Sequence, residues 1–484
     1  MSTSETDVAN GSWASSCDRR RWLTTTAAGV SAGVSAGWLA APGSARAAAK
    51  EFALVPFSAE ITPPMGHALM GGGIAPAKSV ADPLFASGIV LRGIDSKPVV
   101  IAALDWCEIR NDAYDRWREA LAKAAGTTRE RVMLMSLHQH DTPIADLAAE
   151  KFLLDAKAKG SICMLDFHER VVERVAKAVG QAVADAKAWQ PIDSVGFGKG
   201  KVVGVASNRR YRDANGVWRH DRTSATRNPE VRATEEGTVD PDVKTLSFWH
   251  QNRAIVAISG YATHPMSFYG KGEVTADFVG MARRMRQSAT PQTLQLYCSG
   301  CSGNVTAGKY NDGAAMNRPI LADRLAAGMK LAWESTERFP LESLQFRSVP
   351  LTLSPRSGGE FRESELRARI QHDSRPFGQC LAALGLSWLK RCQAGQPIDV
   401  PLLDCGSAAF LLLPAESYVE FQLFAQSVRR DGRLLVAGYG ECGPGYIPIE
   451  RAWQERDGNL TDWCWVDPGS QAKMEAAIRK VLAG

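Results

Sequence analysis

The order of hydrophobic and polar positions predicts short buried strands alternating with longer amphipathic helices. Val99–Leu104 and Val132–Leu137 are apolar runs bounded by polar residues, as in strands buried on both faces of a sheet. Between them, Asp112–Ala125 repeats its apolar positions at helical spacing and ends at Gly126. Strand, helix and strand in this order predict a βαβ unit.

The same criteria predict elements along the rest of the chain. The remaining predicted strands are Val90–Gly93, Val195–Val203, Lys244–Trp249, Ala254–Gly260, Thr293–Tyr297, Phe346–Leu353, Ala408–Leu413 and Leu434–Gly438. The remaining predicted helices are Asp166–Ala188, Phe278–Gln287, Pro319–Thr336, Glu360–His372, Gln379–Arg391, a helix that follows Glu416 and ends near Arg430, and Ser470–Leu482. The polar, basic stretch Arg209–Glu236 is predicted to be a surface excursion near the site entrance. With no internal repeat and no linker, we predict an α/β fold: one large single domain with mixed β-sheets flanked by helices.

Composition and charge narrow the function classes. The 484 residues are 45% hydrophobic and 23% charged, which is ordinary for a globular enzyme. A net charge of +5, with no dense basic tract beyond the first residues, does not favour nucleic acid as a partner. No later apolar run approaches the ~20 residues of a membrane helix. No obligate protein partner is evident, and peripheral contact with a membrane stays open.

The N-terminus is predicted to be a targeting segment. Asp18-Arg19-Arg20-Arg21-Trp22-Leu23 is similar to a twin-arginine export signal. Thr24–Ala41 is a weakly apolar run, and Ala45-Arg46-Ala47 fits a signal-peptidase site. We therefore predict a signal peptide over residues 1–47, a mature domain over 48–484, and a periplasmic or extracellular location. The alternative is a flexible tail with a chance arginine triplet.

Ten cysteines are present, and nine remain after Cys17 in the leader. An odd number leaves at least one unpaired. Cys298 and Cys301 form a CxxC pair, which suits a redox or metal site, but buried small side chains are the favoured interpretation.

Functional-looking residues follow four of the apolar strands. They are His138 with His140, His264, the segment Ser302–Thr306, and Glu416. Two histidines one residue apart on a strand point to the same side, and His-x-His commonly presents two imidazoles to one zinc ion. A surface pair or a hydrogen-bonded pair in a turn remains the alternative.

Each of the other candidates also has a structural alternative. His264 suits a core position, Glu416 suits a helix N-terminus, and Tyr446 suits a packed aromatic in a rigid loop. Asp141 and Asp277 suit partners that orient metal-binding histidines, or loop caps. Taken singly, none of these residues decides the function.

The order of six short motifs along the chain is more informative. They are Ala59-Glu60-Ile61-Thr62-Pro63, Ser136-Leu137-His138-Gln139-His140-Asp141-Thr142-Pro143, Ser207-Asn208-Arg209, Ala262-Thr263-His264 with Ala276-Asp277, Leu413-Pro414-Ala415-Glu416, and Gly445-Tyr446-Ile447-Pro448. In this order they resemble the catalytic domain of the neutral/alkaline (non-lysosomal) ceramidase family, from about Phe57 to Glu455.

The resemblance implies a zinc site and assigns roles to residues. His138, His264, Glu416 and Tyr446 are implied as zinc ligands, and His140 as the catalytic partner beside them. Arg209 is implied to line the site, and Asp277 matches an acidic residue of the family. Thr306 stands where the family has an active-site serine, which weakens a serine-nucleophile scheme. Asp141 and Thr142 replace a serine and a glycine of the family motif.

The family carries an immunoglobulin-like domain after the catalytic one. About forty residues follow Tyr446, fewer than the ~100 of such a sandwich, so no C-terminal immunoglobulin-like domain is expected. This difference weakens ceramide as the substrate without weakening the zinc chemistry.

The sequence therefore predicts an exported Zn²⁺-dependent hydrolase that cleaves an acyl-amide bond with metal-activated water. His140 is the predicted general acid/base, and Arg209 and Thr306 orient the substrate or stabilise the oxyanion. Asp141 and Asp277 are predicted to orient the metal-binding histidines without contacting the metal. The expected substrate is a small-molecule or lipid-like N-acyl compound. The alternatives are a zinc hydrolase of esters or non-lipid amides, an exported metal-retaining binding protein without turnover, and a thiol redox protein using Cys298 and Cys301.

Overall fold

The structure, a computed structural model, describes residues 51–93, 95 and 97–483. The predicted signal peptide over residues 1–47 lies outside the described residues. The described residues belong to one compact unit of mixed sheets and helices, as the predicted fold class requires. None of the helices in these ranges is both long and apolar enough to cross a membrane.

Strands and helices alternate along most of the described chain. The strands are β1 (Ala53–Glu60), β2 (Ser79–Val80), β3 (Phe85–Arg92), β4 (Val99–Leu104), β5 (Glu108–Ile109), β6 (Val132–Ser136), β7 (Ile144–Ala145), β8 (Gln190–Pro191), β9 (Ser194–Lys201), β10 (Ser207–Asn208), β11 (Tyr211–Arg212), β12 (Trp218–Arg219), β13 (Asp242–His250), β14 (Arg253–Tyr261), β15 (Glu273–Val274), β16 (Leu294–Ser299), β17 (Val305–Thr306), β18 (Glu337–Pro340), β19 (Gln345–Leu351), β20 (Ile398–Asp404), β21 (Ala409–Leu412), β22 (Glu416–Ser417), β23 (Leu434–Ala437) and β24 (Tyr446–Ile447). The helices are α1 (Asn111–Ala125), α2 (Leu147–Asp155), α3 (Leu165–Ala184), α4 (Pro229–Ala233), α5 (Asp277–Ala289), α6 (Asn317–Glu334), α7 (Glu363–His372), α8 (Pro376–Gln393), α9 (Val419–Val428), α10 (Glu450–Gln454) and α11 (Ser470–Ala483).

Three sheets form the framework. In each of them, the first four strands along the chain are arranged in the same spatial order. The first has the order β6-β4-β3-β1-β8, the second β16-β14-β13-β9-β18 and the third β23-β21-β20-β19. In each sheet, two antiparallel strands lead to a strand–helix–strand unit whose strands pair in parallel. The three crossover helices are α1, α5 and α9. The sequence shows no internal repeat, so this threefold arrangement is a repeat of topology and not of sequence.

The sheets surround a shared core, and helices cover their outer faces. Alternating residues of the first sheet point to its two opposite faces. Ile101 and Met133 lie on the inner face, in the core shared by the three sheets. Val100 and Leu134 point the other way, into a second apolar cluster with α1 and α3. Because both faces are covered, the parallel strands are apolar throughout, and every residue of Val99–Leu104 is buried.

The ends of the three outer strands β6, β16 and β23 meet. The Ser136 N–H donates to the Tyr439 carbonyl at 3.1 Å, and the Gly438 N–H donates to the Ser299 carbonyl at 2.9 Å. The Ser299 hydroxyl donates to the Leu137 carbonyl at 2.7 Å. Residues that follow these strands therefore enter one common region.

Every strand and helix predicted from the sequence has a counterpart, but some ends differ. The second predicted helix ends at Ala184 and not at Ala188. Trp189 folds back and its indole N–H donates to the Val183 carbonyl at 3.1 Å, which satisfies a carbonyl of the last helical turn. The unpredicted elements include β1, α2 and β20, whose patterns do not alternate cleanly.

Two local predictions gain detail from the structure. The helix predicted after Glu416 is α9, but Glu416 itself lies in β22 and pairs in parallel with Tyr446 of β24. The stretch Arg209–Glu236 is mostly exposed or partly exposed, as predicted for a surface excursion, but the Arg222 side chain within it is fully buried. Its guanidinium donates to backbone carbonyls, including that of Asn208 at 2.6 Å and 2.8 Å, and so ties the stretch to the body of the protein.

Candidate functional site

Three buried residues that follow strands of three different sheets converge. His138 follows β6, His264 follows β14, and Glu416 follows β21. All three are buried, and their ligand atoms lie within 4.8 Å of one another. A Glu416 carboxylate oxygen, Oε2, lies 2.9 Å from His264 Nε2 and 3.3 Å from His138 Nε2. The sequence prediction that these residues share a site is consistent with this geometry.

Unusual backbone conformations turn the chain into the site. His138, Ala415 and Tyr439 have φ values of 66°, 52° and 59°, in the left-handed region that residues other than glycine rarely adopt. Each such residue costs on the order of 1–3 kcal/mol and persists only where its surroundings hold it. The His138 N–H donates to the Trp106 carbonyl at 2.9 Å, and the Tyr439 N–H donates to the Ala415 carbonyl at 3.1 Å. Strain of this kind clusters at functional sites.

Backbone carbonyls orient the two converging imidazoles. His138 Nδ1 lies 3.1 Å from the Cys107 carbonyl, and His264 Nδ1 lies 2.5 Å from the Ser302 carbonyl. A carbonyl only accepts, so each Nδ1 carries the hydrogen and each Nε2 presents a lone pair towards Glu416. Lone pairs and a carboxylate facing one another repel unless a cation lies between them.

Buried atoms without hydrogen-bond partners also indicate that a cation belongs between these residues. His138 Nε2 and Glu416 Oε1 are buried and have no hydrogen-bond partner among the described residues. Buried polar atoms without partners are costly and call for an unseen partner. Two imidazoles and a carboxylate form the donor set that Zn²⁺ prefers in hydrolytic enzymes, so these residues fit a zinc ion.

The electrostatics also suit a cation. Burial opposes ionisation of Glu416, but the nearby His138 and His264 outweigh it and hold the pKa of the carboxyl well below its usual range. Burial, helped by Arg209, lowers the pKa of His264 to about 4, so this imidazole is neutral. For His138, the carboxylates of Glu416 and Glu108 overcome burial and raise the pKa. A metal ion would replace the proton that His138 otherwise holds.

Tyr446 and Arg209 lie beside these residues. The pairing of β22 with β24 sets Tyr446 opposite Glu416. The Arg209 guanidinium donates to the Tyr446 hydroxyl at 2.7 Å and lies 3.5 Å from His264 Nε2. Asn459 accepts from the same guanidinium at 2.9 Å. Tyr446 as a fourth metal ligand stays a prediction, but its place beside Glu416 agrees with it.

His140 lies next to the centre with both ring nitrogens free. Its ring centroid is 5.1 Å from that of His138 and 5.1 Å from that of Tyr269. Neither ring nitrogen has a hydrogen-bond partner in the described part of the chain. Burial and the neighbouring His138 and His264 lower the pKa of His140 well below its usual value. A neutral imidazole with no fixed partner can accept a proton from a reactant.

A mostly apolar cavity of about 200 Å³ opens onto these groups. Its lining consists of Met70, Cys107, His138, His140, Phe377, Glu416, Tyr446 and Trp463. The rings of Phe377 and Trp463 stack with centroids 6.2 Å apart. The polar groups therefore lie together at an otherwise apolar wall, as in sites that hold an apolar substrate and act on its polar bond.

The other predicted site residues have structural contacts. Asp141 accepts from the Gly270 N–H at 2.8 Å, and Asp277 accepts from the Ser267 N–H at 3.1 Å. These bonds fix the loop that carries Tyr269 against His140. Burial raises the pKa of Asp141 to about 7.

The Thr306 hydroxyl is already engaged by the backbone. It donates to the Thr223 carbonyl at 3.0 Å and accepts from the Gly308 N–H at 3.1 Å. Catalytic roles for Thr306, Asp141 and Asp277 stay predictions.

Cys107, Glu108 and Tyr439 also lie at the site, although they were not predicted from the sequence. Cys107 lines the cavity, a Glu108 carboxylate oxygen lies 3.8 Å from His138 Nδ1, and the Tyr439 ring stacks on His138 at 4.3 Å. All three follow predicted apolar strands. The criterion that singled out His138 and His264, a reactive side chain just after such a strand, could therefore have found them as well.

The cysteines agree with the interpretation as buried small side chains. All nine in the described ranges are free, and Cys298 and Cys301 are fully buried. No redox pair is formed there.

Comparisons with known proteins bear on the fold. No protein-family model and no curated protein sequence matches the chain. Solved structures similar to it include a neutral ceramidase from Pseudomonas aeruginosa and a structure described as ceramidase complexed with C2. Each superposes with a TM-score of 0.61 at 18% sequence identity, over 89% of this chain and 74% of the other. The predicted resemblance is thereby confirmed at the level of the fold.

Proposed function

We propose, from the premise that this chain has the neutral ceramidase fold, that it is a zinc-dependent hydrolase of an N-acyl amide bond. One observation carries the proposal: the ligand atoms of His138, His264 and Glu416 meet beside an apolar cavity, and His138 Nε2 and Glu416 Oε1 are buried there without a partner among the described residues. We further propose that the protein is exported by the twin-arginine pathway, on the sequence of residues 1–47 alone.

The residues that would hold zinc are His138, His264 and Glu416, with Tyr446 as the fourth ligand. A bound zinc ion lowers the pKa of water towards ~7 and polarises a carbonyl. The carbonyls of Cys107 and Ser302 keep both imidazoles in the tautomer that ligation needs.

His140 is the proposed proton-transfer group. It is neutral because burial depresses its pKa, and its nitrogens are committed to no other residue of the described chain. It accepts a proton from the attacking water and returns it to the leaving amine. Arg209 places a fixed positive charge beside Tyr446, where it stabilises negative charge that develops on the acyl oxygen.

The cavity supports a substrate with an apolar acyl arm. Met70, Phe377 and Trp463 offer thioether and aromatic surface to such an arm, while the amide lies next to His140 and Glu416. Burial of an acyl chain there contributes ~0.8 kcal/mol for each methylene removed from water. We therefore propose a lipid-like N-acyl compound as the substrate.

The test combines metal analysis with a substrate panel. The purified chain should contain one zinc ion, and a chelator should abolish cleavage of N-acyl amides, with cleavage restored by added zinc. Glu416→Gln should lose both zinc and turnover, whereas Glu450→Gln, a matched change at an exposed glutamate, should lose neither. Matched N-acyl amides and esters in the same panel separate amide from ester hydrolysis. Cleavage that persists without zinc, or zinc without cleavage of any acyl substrate, contradicts the proposal.

A further inference from the structure

A thiol that the proposed reaction does not use faces the same cavity. Cys107 follows β4, is 1% exposed, and contributes to the cavity lining. Its sulfur lies 3.8 Å from His138 Nδ1. The Cys107 N–H donates to the Pro143 carbonyl at 2.9 Å, so the backbone that carries the thiol is held firmly.

His140 completes a second cluster around this thiol. The ligand atoms of Cys107, His138 and His140 lie within 4.8 Å of one another. Both nitrogens of His140 are buried without a partner among the described residues, which is a second, independent sign that a ligand belongs there. One sulfur and two imidazoles form a softer donor set than the two imidazoles and carboxylate of the first cluster.

We propose that Cys107, His138 and His140 form a second metal site, selective for a thiophilic cation such as Cd²⁺ or Cu⁺. Soft ions favour thiolate ligands, whereas the first cluster offers none. As the ion binds, the Cys107 S–H bond breaks, a sulfur–metal bond forms, and the thiol proton leaves to solvent. Ligation through His138 Nδ1 also breaks the N–H bond that faces the Cys107 carbonyl, and that hydrogen moves to Nε2, which then no longer offers a lone pair to the first site. The two sites share the His138 ring, so an ion in the second site disturbs the first.

The site would make the protein sensitive to thiophilic metals. An ion bound there engages His140 and fills part of the cavity beside Glu416. Hydrolysis would stop because the proton-transfer group is occupied and the acyl arm is excluded. This inhibition rests on the proposed function, whereas the binding of the metal does not.

The experiment is a Cd²⁺ titration of the purified full-length protein, followed by ultraviolet thiolate-to-cadmium charge-transfer absorption. The absorption of the wild type should reach its maximum at one equivalent of Cd²⁺ per protein chain. Cys107→Ser should lose it and bind Cd²⁺ at least about 100-fold more weakly, and His140→Gln should weaken binding as well. Cys392→Ser, at a partly exposed cysteine away from the cavity lining, is the matched control and should keep the wild-type titration.

Activity provides the second readout. Cd²⁺ should inhibit acyl-amide cleavage by the wild type and by Cys392→Ser, and should inhibit Cys107→Ser much less. Circular dichroism of Cys107→Ser establishes that its fold is retained, and His140→Gln tests the same site independently if it is not. Absence of the absorption in the folded wild type, or its persistence in Cys107→Ser, overturns the proposal. If the absorption depends on Cys107 but the protein hydrolyses no acyl amide, the second metal site stands and the proposed function is wrong.

Discussion

Three histidines of the site differ in function because their hydrogen-bond partners differ. Carbonyls of Cys107 and Ser302 accept from the Nδ1 atoms of His138 and His264, which leaves the Nε2 lone pairs for a metal. His140 has no such partner in the described chain, so both its nitrogens remain available. Two histidines are therefore suited to ligation and the third to proton transfer.

Substitution of His140 separates these roles. In His140→Gln we expect kcat to fall by about 10²- to 10⁴-fold, because the general base is lost, while the zinc content stays at the wild-type value. Steady-state kinetics and metal analysis of the same preparation provide the measurement. His250→Gln, at a partly exposed histidine paired with Asp193, serves as the control. Loss of zinc from His140→Gln would make His140 a ligand and refute its assigned role.

Another buried histidine, outside the site, contributes to the way stability depends on pH. His168 is 1% exposed, lies against Trp106 and Trp117, and has no hydrogen-bond partner among the described residues for either ring nitrogen. Burial lowers its pKa to about 4, whereas the unfolded chain restores about 6.5. Between these values the unfolded state binds the extra proton, so this contribution to stability is complete above pH 6.5 and is lost as pH falls towards 4.

His168→Phe should keep the aromatic contacts and abolish this part of the pH dependence. The wild type should lose on the order of 3 kcal/mol more stability than the variant between pH 7 and pH 4. Urea unfolding at both pH values measures the difference. Equal losses in the two proteins would show that His168 is not held neutral by burial.

The order of the sequence motifs pointed to the proposed ligand residues, but it could not show which contacts hold them in place. His138, His264 and Glu416 are distinguishable because each follows an apolar strand and each belongs to an ordered motif. The left-handed conformation of His138 and the thiol of Cys107 beside it depend on contacts across the fold, which local pattern does not encode.

At the scale of elements, short strand pairs position the functional side chains more than the long helices do. The helix predicted after Glu416 is present, but the two-residue strand that pairs Glu416 with Tyr446 was not predicted. Such a pair is too short for any hydrophobic period to reveal. By contrast, long strands such as Val99–Leu104 and helices such as α1 were predicted within a residue, because their burial imposes a clear pattern.

The loop after β16 provides a test of this positioning. Gly303 packs so closely that a Cβ atom there would lie 2.1 Å from the Glu416 carbonyl oxygen and 2.9 Å from the Tyr418 ring. Gly303→Ala should displace the Glu416 strand, and misplacement by about 1 Å lowers kcat/KM by about 100-fold. Gly358→Ala, where a Cβ meets no atom within 4 Å, is the control. Wild-type kinetics and zinc affinity in a folded Gly303→Ala would refute the role of this packing.

At the scale of the whole molecule, the site exists because three sheets of like topology place their strand ends together. One of the residues His138, His264 and Glu416 follows a strand of each sheet, and these residues, far apart in sequence, meet only in the folded protein. The sequence predicted the α/β class and the first βαβ unit, but not the threefold arrangement, since the three units share strand order without sharing sequence. A metal at their junction would link all three sheets.

Removal of the metal should therefore lower the stability of the entire fold. At free zinc 100 times its Kd, binding contributes about 2.7 kcal/mol to the free energy of unfolding. We expect a chelator to lower Tm in a single transition, and zinc-saturated chelator to leave Tm unchanged. Calorimetry of both samples is the measurement, and an unchanged Tm after complete zinc removal would mean that no ion links the sheets.

Zinc K-edge X-ray absorption of the purified protein identifies the atoms that surround the proposed metal. We expect one zinc ion with nitrogen and oxygen ligands only, at about 2.0–2.2 Å, supplied by two histidines, Glu416 and Tyr446. A protein without zinc, or a zinc ion with a sulfur ligand at about 2.3 Å, would refute this zinc site.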